Sequence, residues 1–526
     1  MFVLITAITF TYLFMFGRSL TIIYNFFNVK KILIDSHTLF GIRIFHFYTL
    51  ISLFFIGNLG VAINFFIPID EKILIYTIPL LLFNFQRKLN IKFTLFKLFN
   101  FLLIFAVALF SIKGSGFHHD SGLYHLNYQN ILRTNKIQFG LVNLYDHYGF
   151  SSVYEYIGSI FWIGENLILL QIIPLIFVVF FFSILLNYSM YSTNQFIKYG
   201  AFLTLCFMIL DNFGVDGGNN GTIYVESVGK FDLIFGILFA TSTIFLLYAI
   251  NTKEVSPIEE KTLFLLILFS IQLRLFGFVL LYLLTVYYFS KKSNFKNILK
   301  NNGLGIILLS VWIIKNVINS GCLFFPVQQT CINILTWSDV PSAGALSSFL
   351  RNYFLSEKYE ILNNQRVLSN YLISLILILL VIKFFLRNKL KFEKINILTS
   401  IFLFINLSLF YFTPSVRFFT GFFTVTPFIL LCVFYKNKQY ELKTNLIYPI
   451  FIFALIFFPR IYQYNFSNLN YSLLSIPQVE YKQYENSKYV TPLTGDQCWV
   501  NIDCTPIFPK VNESYLSLDY KIYLKQ

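Results

Sequence analysis

The chain has 526 residues, 56% of them hydrophobic and only 12% charged, with a net charge of +15. Soluble domains carry about twice that charged fraction, so a soluble fold is excluded. The positive charge points to basic cytoplasmic loops of a membrane protein rather than to nucleic acid, and the 66 phenylalanines read as lipid-facing filler.

The first apolar run, Phe2–Phe16, has no basic leader and no small-residue cleavage site. It continues past Arg18 to Phe27 as a first span. Further apolar runs of spanning character lie at 45–68, 72–86, 95–112, 167–187, 196–211, 231–250, 261–273, 275–289, 303–319, 367–386, 395–412, 416–435 and 446–459. The third, eighth and ninth are short and fit re-entrant or tilted pairs. The expected fold is an all-α polytopic membrane protein of about 12–14 transmembrane helices. Residues 1–459 form its membrane domain, and 460–526 form a small appended segment of irregular structure.

Charge sets the expected topology. Alternate loops hold Lys30, Lys31 and Arg43; Arg87, Lys88, Lys92 and Lys97; Lys198; Lys253 and Lys261; Lys291, Lys292, Lys296 and Lys300; Arg387, Lys389, Lys391 and Lys394; and Lys436, Lys438 and Lys443. The positive-inside rule makes this set cytoplasmic. The long polar segments 113–165, 212–230, 320–366 and 460–526 then all face outward. The step most open to an alternation error is the 261–289 pair. Cys206 and Cys432 lie inside spans, whereas Cys322, Cys331, Cys498 and Cys504 lie in outer segments. An oxidising compartment lets the latter four pair. The local pairs Cys322–Cys331 and Cys498–Cys504 are preferred among three connectivities.

The segment Lys113–Glu165 concentrates titratable groups. It holds four of the six histidines, His118, His119, His125 and His147, together with Asp120, Asp146 and Glu155. Gly122–Arg133, with Ser121 as a cap, has the apolar residues Leu123, Leu126, Ile131 and Leu132 of a helix lying on the membrane surface. Asp120 then sits at the lipid–water boundary. There a carboxylate either takes a proton from a sugar hydroxyl as general base, helps to hold a divalent cation beside a phosphate, or simply caps the helix. His118 and Asp120 have the types and spacing of metal ligands, and loop histidines are more often simply polar interfacial residues. The loop that follows Asp211 brings Asp216 among several glycines and reads foremost as a turn. Three basic residues, Arg274, Lys315 and Arg417, lie at or within spans, where charge is expensive and marks function or snorkelling. A guanidinium at Arg417 suits a lipid-linked phosphate.

Four ordered stretches carry a family resemblance. In the first, Asp120 is followed by Leu123-Tyr124-His125, then by Gly140-Leu141-Val142-Asn143-Leu144 and by Gly149-Phe150-Ser151-Ser152. The others are WIIKNVINSGCLFFPVQQTCINILTW (Trp312–Trp337), FTPSVRFFTG (Phe412–Gly421) and GDQCWVNIDCTP (Gly495–Pro506). Together they resemble a group of bacterial polytopic membrane proteins related to the GT-C class of glycosyltransferases. That resemblance implies a GT-C-like fold with an interfacial helix in its first large outer loop. It also implies a sugar donor carried on polyprenyl phosphate, and a glycan, lipid or protein acceptor. The site would lie on the periplasmic face of the bacterial inner membrane. Asp120 would be catalytic, and His119, Tyr124, His125, Asp146, Lys315 and Arg417 would bind substrate. A magnesium or manganese ion would sit at His118 and Asp120. Two positions depart from the pattern: Ser415 stands where relatives often carry an acid, and His119 replaces the second acid of a pair. A surface-polysaccharide polymerase or ligase is the alternative enzyme. A transporter or flippase for lipid-linked sugars is the alternative from another class, although no inverted repeat is evident.

Overall fold

The structure is a computed structural model that describes residues 2–27, 38–86, 102, 104–105, 116–117, 119–150, 152–164, 166–212, 227–252, 255–292, 295–338, 340–363, 394–413, 416–434, 476–483, 490–499, 504–506, 511–516 and 520–525. Every predicted span that falls on these residues is helical. The spans expected at 367–386 and 446–459, and nearly all of 95–112, lie outside them. Among the described residues, five helices are long and apolar enough to cross a membrane: Phe2–Tyr24, Ile44–Asn64, Ile168–Tyr191, Asp232–Ile250 and Gly303–Ser320. Ile168–Tyr191 and Asp232–Ile250 are apolar all round and are 94% buried inside the protein, as a helix at the centre of a bundle must be.

Local chemistry explains where the helices break. The short helix Lys72–Thr77 tightens into a 3-10 segment, Ile78–Gln86, because Pro79 has no N–H to donate to the preceding turn. Ser256 opens Pro257–Leu273 with a complete capping box to Glu259, and Pro257 occupies the first turn. That helix ends at Arg274, whose backbone is extended, and a 3-10 turn, Leu275–Val279, leads into Leu280–Ser290. Lys291 Nζ returns to within 3.0 Å of Glu260 Oε2. The pair read as 261–273 and 275–289 is therefore an antiparallel hairpin with both ends at one pole. Its turn is tight: a Cβ on Gly277 would lie 2.7 Å from Ile271 N.

Two poles follow from the contacts. At one, Tyr188 Oη donates to the Phe40 carbonyl (2.7 Å), Phe40 N–H to Glu259 (2.5 Å), and Lys261 Nζ to Tyr24 Oη (3.0 Å). Lys291 and Glu260 join them there. At the other pole the segments read as outer pack on one another. Gly116–Phe117 pairs in parallel with Ser227–Val228. Gly140 N–H donates to the Ile318 carbonyl (2.9 Å), and Phe139 exchanges backbone bonds with Lys521 and Tyr523. Tyr520 Oη donates to the Phe65 carbonyl (2.6 Å). The polar loops thus share one end of the bundle.

Three local expectations change. The C-terminal segment is not irregular but carries two hairpins, Tyr481–Gln483 with Val490–Pro492 and Val511–Leu516 with Tyr520–Lys525. Tyr520, Ile522 and Leu524 share one face of the last strand and Lys521, Tyr523 and Lys525 the other. The 320–366 loop contains a helix, Val340–Asn363, and its Ala343 and Leu346 form a satellite core with Val142, Phe325 and Cys322. The helix expected to lie on the membrane surface is enclosed by protein: Leu126–Thr134 is buried from Leu126 through Leu132. Its polar residues have protein partners instead of water, since Asn319 Nδ2 donates to Tyr128 Oη (2.8 Å) and Ser159 Oγ to the Gln129 carbonyl (3.1 Å). The structure joins Cys322 to Cys331 and Cys498 to Cys504.

Candidate functional site

Asp120 lies at the start of a turn of π-helix, Ser121–His125, which runs on as Leu126–Thr134. Such bulges recur at functional sites because they free a carbonyl and re-aim a side chain. Here the Gly122 carbonyl accepts from Cys498 N–H (2.8 Å) and from Asn127 Nδ2 (3.2 Å). Ser121 does not cap the helix. Its hydroxyl donates to the Val228 carbonyl at 2.5 Å. Asp120 is partly exposed, whereas Ser121, Gly122 and His125 are buried. A partly exposed carboxylate therefore stands beside a buried turn.

Beneath it lies a buried polar network. His125 Nδ1 stands 2.5 Å from Glu155 Oε1, with the two side chains only 3% and 4% exposed. Gln129 Nε2 donates to the other carboxylate oxygen at 2.8 Å. The Glu155 charge also reaches Lys315, whose ammonium lies 5.7 Å from the Tyr156 ring and 5.6 Å from that of Trp312. Of the residues expected to bind substrate, His125 pairs with Glu155 and Lys315 has 0% exposure, so both lie within the buried base.

Around Asp120 runs a more open rim. His119 Nε2 pairs with Asp496 Oδ1 at 3.0 Å, both about half-exposed. Asp146 Oδ1 lies 2.6 Å from the ring nitrogen Nδ1 of its neighbour His147. The His147 ring stacks on Tyr145 (4.9 Å) and lies 5.3 Å from Tyr124. Burial first, and then the charges of Asp146, Asp496 and Asp120, raise the Tyr145 hydroxyl above the ordinary phenol value. Three carboxylates from three parts of the chain thus share one neighbourhood.

The raised Tyr145 has a sign that can be read. The folded state keeps a proton that the unfolded chain gives up above about pH 10, so the stability it contributes is intact below that pH and falls as pH rises further. Tyr145→Phe is expected to lose thermal stability less steeply than the wild type from about pH 9 to about pH 11. Equal slopes in a pH series of melting curves would count against a held proton at this hydroxyl.

Arg274, at the hairpin tip, pairs with Asp232 and lies over the rings of Phe231 (5.1 Å) and Phe418 (4.3 Å). Phe231 in turn meets His125 edge-on at 5.3 Å. The Val416–Phe434 helix therefore begins close to the Asp120 base. Arg417 lies in its first turn, and its side chain is outside the described residues, as are His118 and Asp216. Among the described residues no three His, Cys, Asp or Glu side chains gather as a metal-binding group. Of the two residues expected to hold magnesium or manganese, Asp120 is described and His118 lies outside the described residues.

Sequence reading names Glu155 and Arg274 without giving either a partner, and passes over Asp232 and Asp496. Glu155 interrupts the apolar run Val153–Phe161, and a lone acid in such a run is a signal that it has a buried partner. Asp496 carries no such signal, because only the fold brings the tail to His119.

A family model described as "Domain of unknown function (DUF8201)" matches residues 1–424. No curated protein matches the chain, and no solved structure matches it.

Proposed function

We propose, for a chain that belongs to this DUF8201 family and so takes no assigned activity from it, that it is an inverting membrane glycosyltransferase that uses a polyprenyl-phosphate-linked sugar. The observation that supports this most is the setting of Asp120, a partly exposed carboxylate on a buried base at the pole where the polar loops meet. Asp120 takes the proton from an acceptor hydroxyl, and the oxygen attacks the anomeric carbon from the face opposite the phosphate. The bond from that carbon to the phosphate oxygen breaks, and its electron pair leaves with the polyprenyl phosphate. A guanidinium stabilises the charge that builds there, and Arg417, at the start of its helix, is assigned that part. The lipid bilayer supplies the donor and holds its chain between helices. The acceptor is a glycan, lipid or protein of the cell envelope, met on the periplasmic face of a bacterial inner membrane.

Purified protein in liposomes, given a polyprenyl-phosphate-sugar and a hydroxyl acceptor, is expected to release polyprenyl phosphate and form a glycoside. Movement of the intact donor between leaflets, with no glycoside formed, would instead identify a flippase.

A further inference from the structure

We infer that the tail segment Asp496–Trp499 positions Asp120, with Trp499 as the principal positioning residue. The inference rests on reading Asp120 as the general base. Three contacts bracket that residue. On one side the Trp499 ring meets Phe117 at 4.8 Å, and Asp496 pairs with His119 at 3.0 Å. On the other side, Trp499 lies directly on Gly122, where a Cβ would come within 2.5 Å of its indole carbons. Position 122 therefore has no room for a side chain while Trp499 is docked. The Cys498 N–H bond to the Gly122 carbonyl, 2.8 Å, fixes the approach.

The strap is itself anchored. Trp499 is 7% exposed, and its backbone N–H donates to Tyr481 Oη at 3.0 Å. Cys498 is joined to Cys504, and Thr505 N–H bonds to the Val490 carbonyl at 3.0 Å. Tyr148 Oη donates to the Cys504 carbonyl at 3.4 Å, which ties the strap to the Asp146–Phe150 turn as well. Asp120 immediately precedes the π-helical turn, and these contacts hold the residues on either side of it. Displacement of a reacting group by about 1 Å costs up to about 100-fold in rate, so the strap bears on turnover without touching substrate.

The test uses the full chain in nanodiscs, with amide hydrogen exchange over residues 116–126 and, separately, transfer kinetics. Trp499→Ala is expected to speed exchange in that segment by about 10-fold or more, with the membrane helices unchanged. Its kcat should fall about 10–100-fold with KM for the lipid-linked donor unaltered, and Trp499→Phe should restore most of it. The paired change Cys498→Ser/Cys504→Ser loosens the strap while keeping the Trp499 ring and the Cys498 N–H that meet Gly122, and should shift exchange and kcat in the same direction. Gly122→Ala should be severe alone and add little in the Trp499→Ala background, because the new methyl group enters vacated space. Unchanged exchange in Trp499→Ala, or strictly additive effects of the Gly122 and Trp499 changes, would overturn the inference. If the wild-type protein transfers no sugar, the glycosyltransferase reading fails, while exchange and the double variant still decide the positioning role.

Discussion

Asp120→Asn is expected to lower sugar transfer by about 10²–10⁴-fold, the range for loss of a general base. The substitution keeps the shape of the side chain and removes its ability to accept a proton. Stability should barely change, for two reasons. Asp120 is partly exposed, and Asn has the shape of Asp and is as good as it at a helix start. The pair of measurements therefore separates chemistry from folding. Glycoside formation near the wild-type rate in a stably folded Asp120→Asn protein would remove Asp120 from the mechanism.

The second large effect is on the base that carries Asp120. Glu155→Ala is expected to destabilise the protein by about 3–5 kcal/mol, as when one partner of a buried pair is removed. The reason is that Glu155 serves several groups at once. It meets His125 at 2.5 Å and Gln129 at 2.8 Å, and its charge reaches Lys315. Truncation leaves two buried polar groups without this acceptor and takes a counter-charge from a cation that has 0% exposure. Glu155→Gln keeps an acceptor oxygen and loses the charge, so its cost should be smaller, about 1–3 kcal/mol. Thermal unfolding in detergent gives the ranking. If Glu155→Ala melts with the wild type, the network does not hold the loop.

The structure also separates the two histidines that lie on either side of Asp120 in the sequence. His125 draws attention in the sequence as a neighbour of Asp120, yet it is the part of the loop most firmly tied inward. His119, equally near, is half-exposed and faces the tail. Sequence proximity treats the two alike. A π-helical turn between them sends one outward and one into the core.

Much of the architecture is legible without coordinates. Runs of apolar residues predict helices because lipid leaves backbone groups no partner but one another. The alternation of basic loops predicts which segments share a pole, and the contacts among residues 116–165, 227–230, 318–338 and 496–525 follow that division. The 261–289 pair, the step most open to error, resolves as a hairpin closed by Lys291 and Glu260. The two cysteine pairs are likewise those that short separation favours.

What the sequence by itself determined was therefore the membrane-spanning helices, the pole at which the polar loops gather, and Asp120 as the carboxylate to test. The first two depend on local composition and periodicity, which a chain carries along its length, whereas Asp120 stands out only through the family resemblance. Only the tertiary structure decided that Glu155 holds His125, that Arg274 meets Asp232, and that Trp499 lies on Gly122. These contacts join segments far apart in the chain. Their strength comes from excluding water around a few polar groups, and only the packed fold creates that environment.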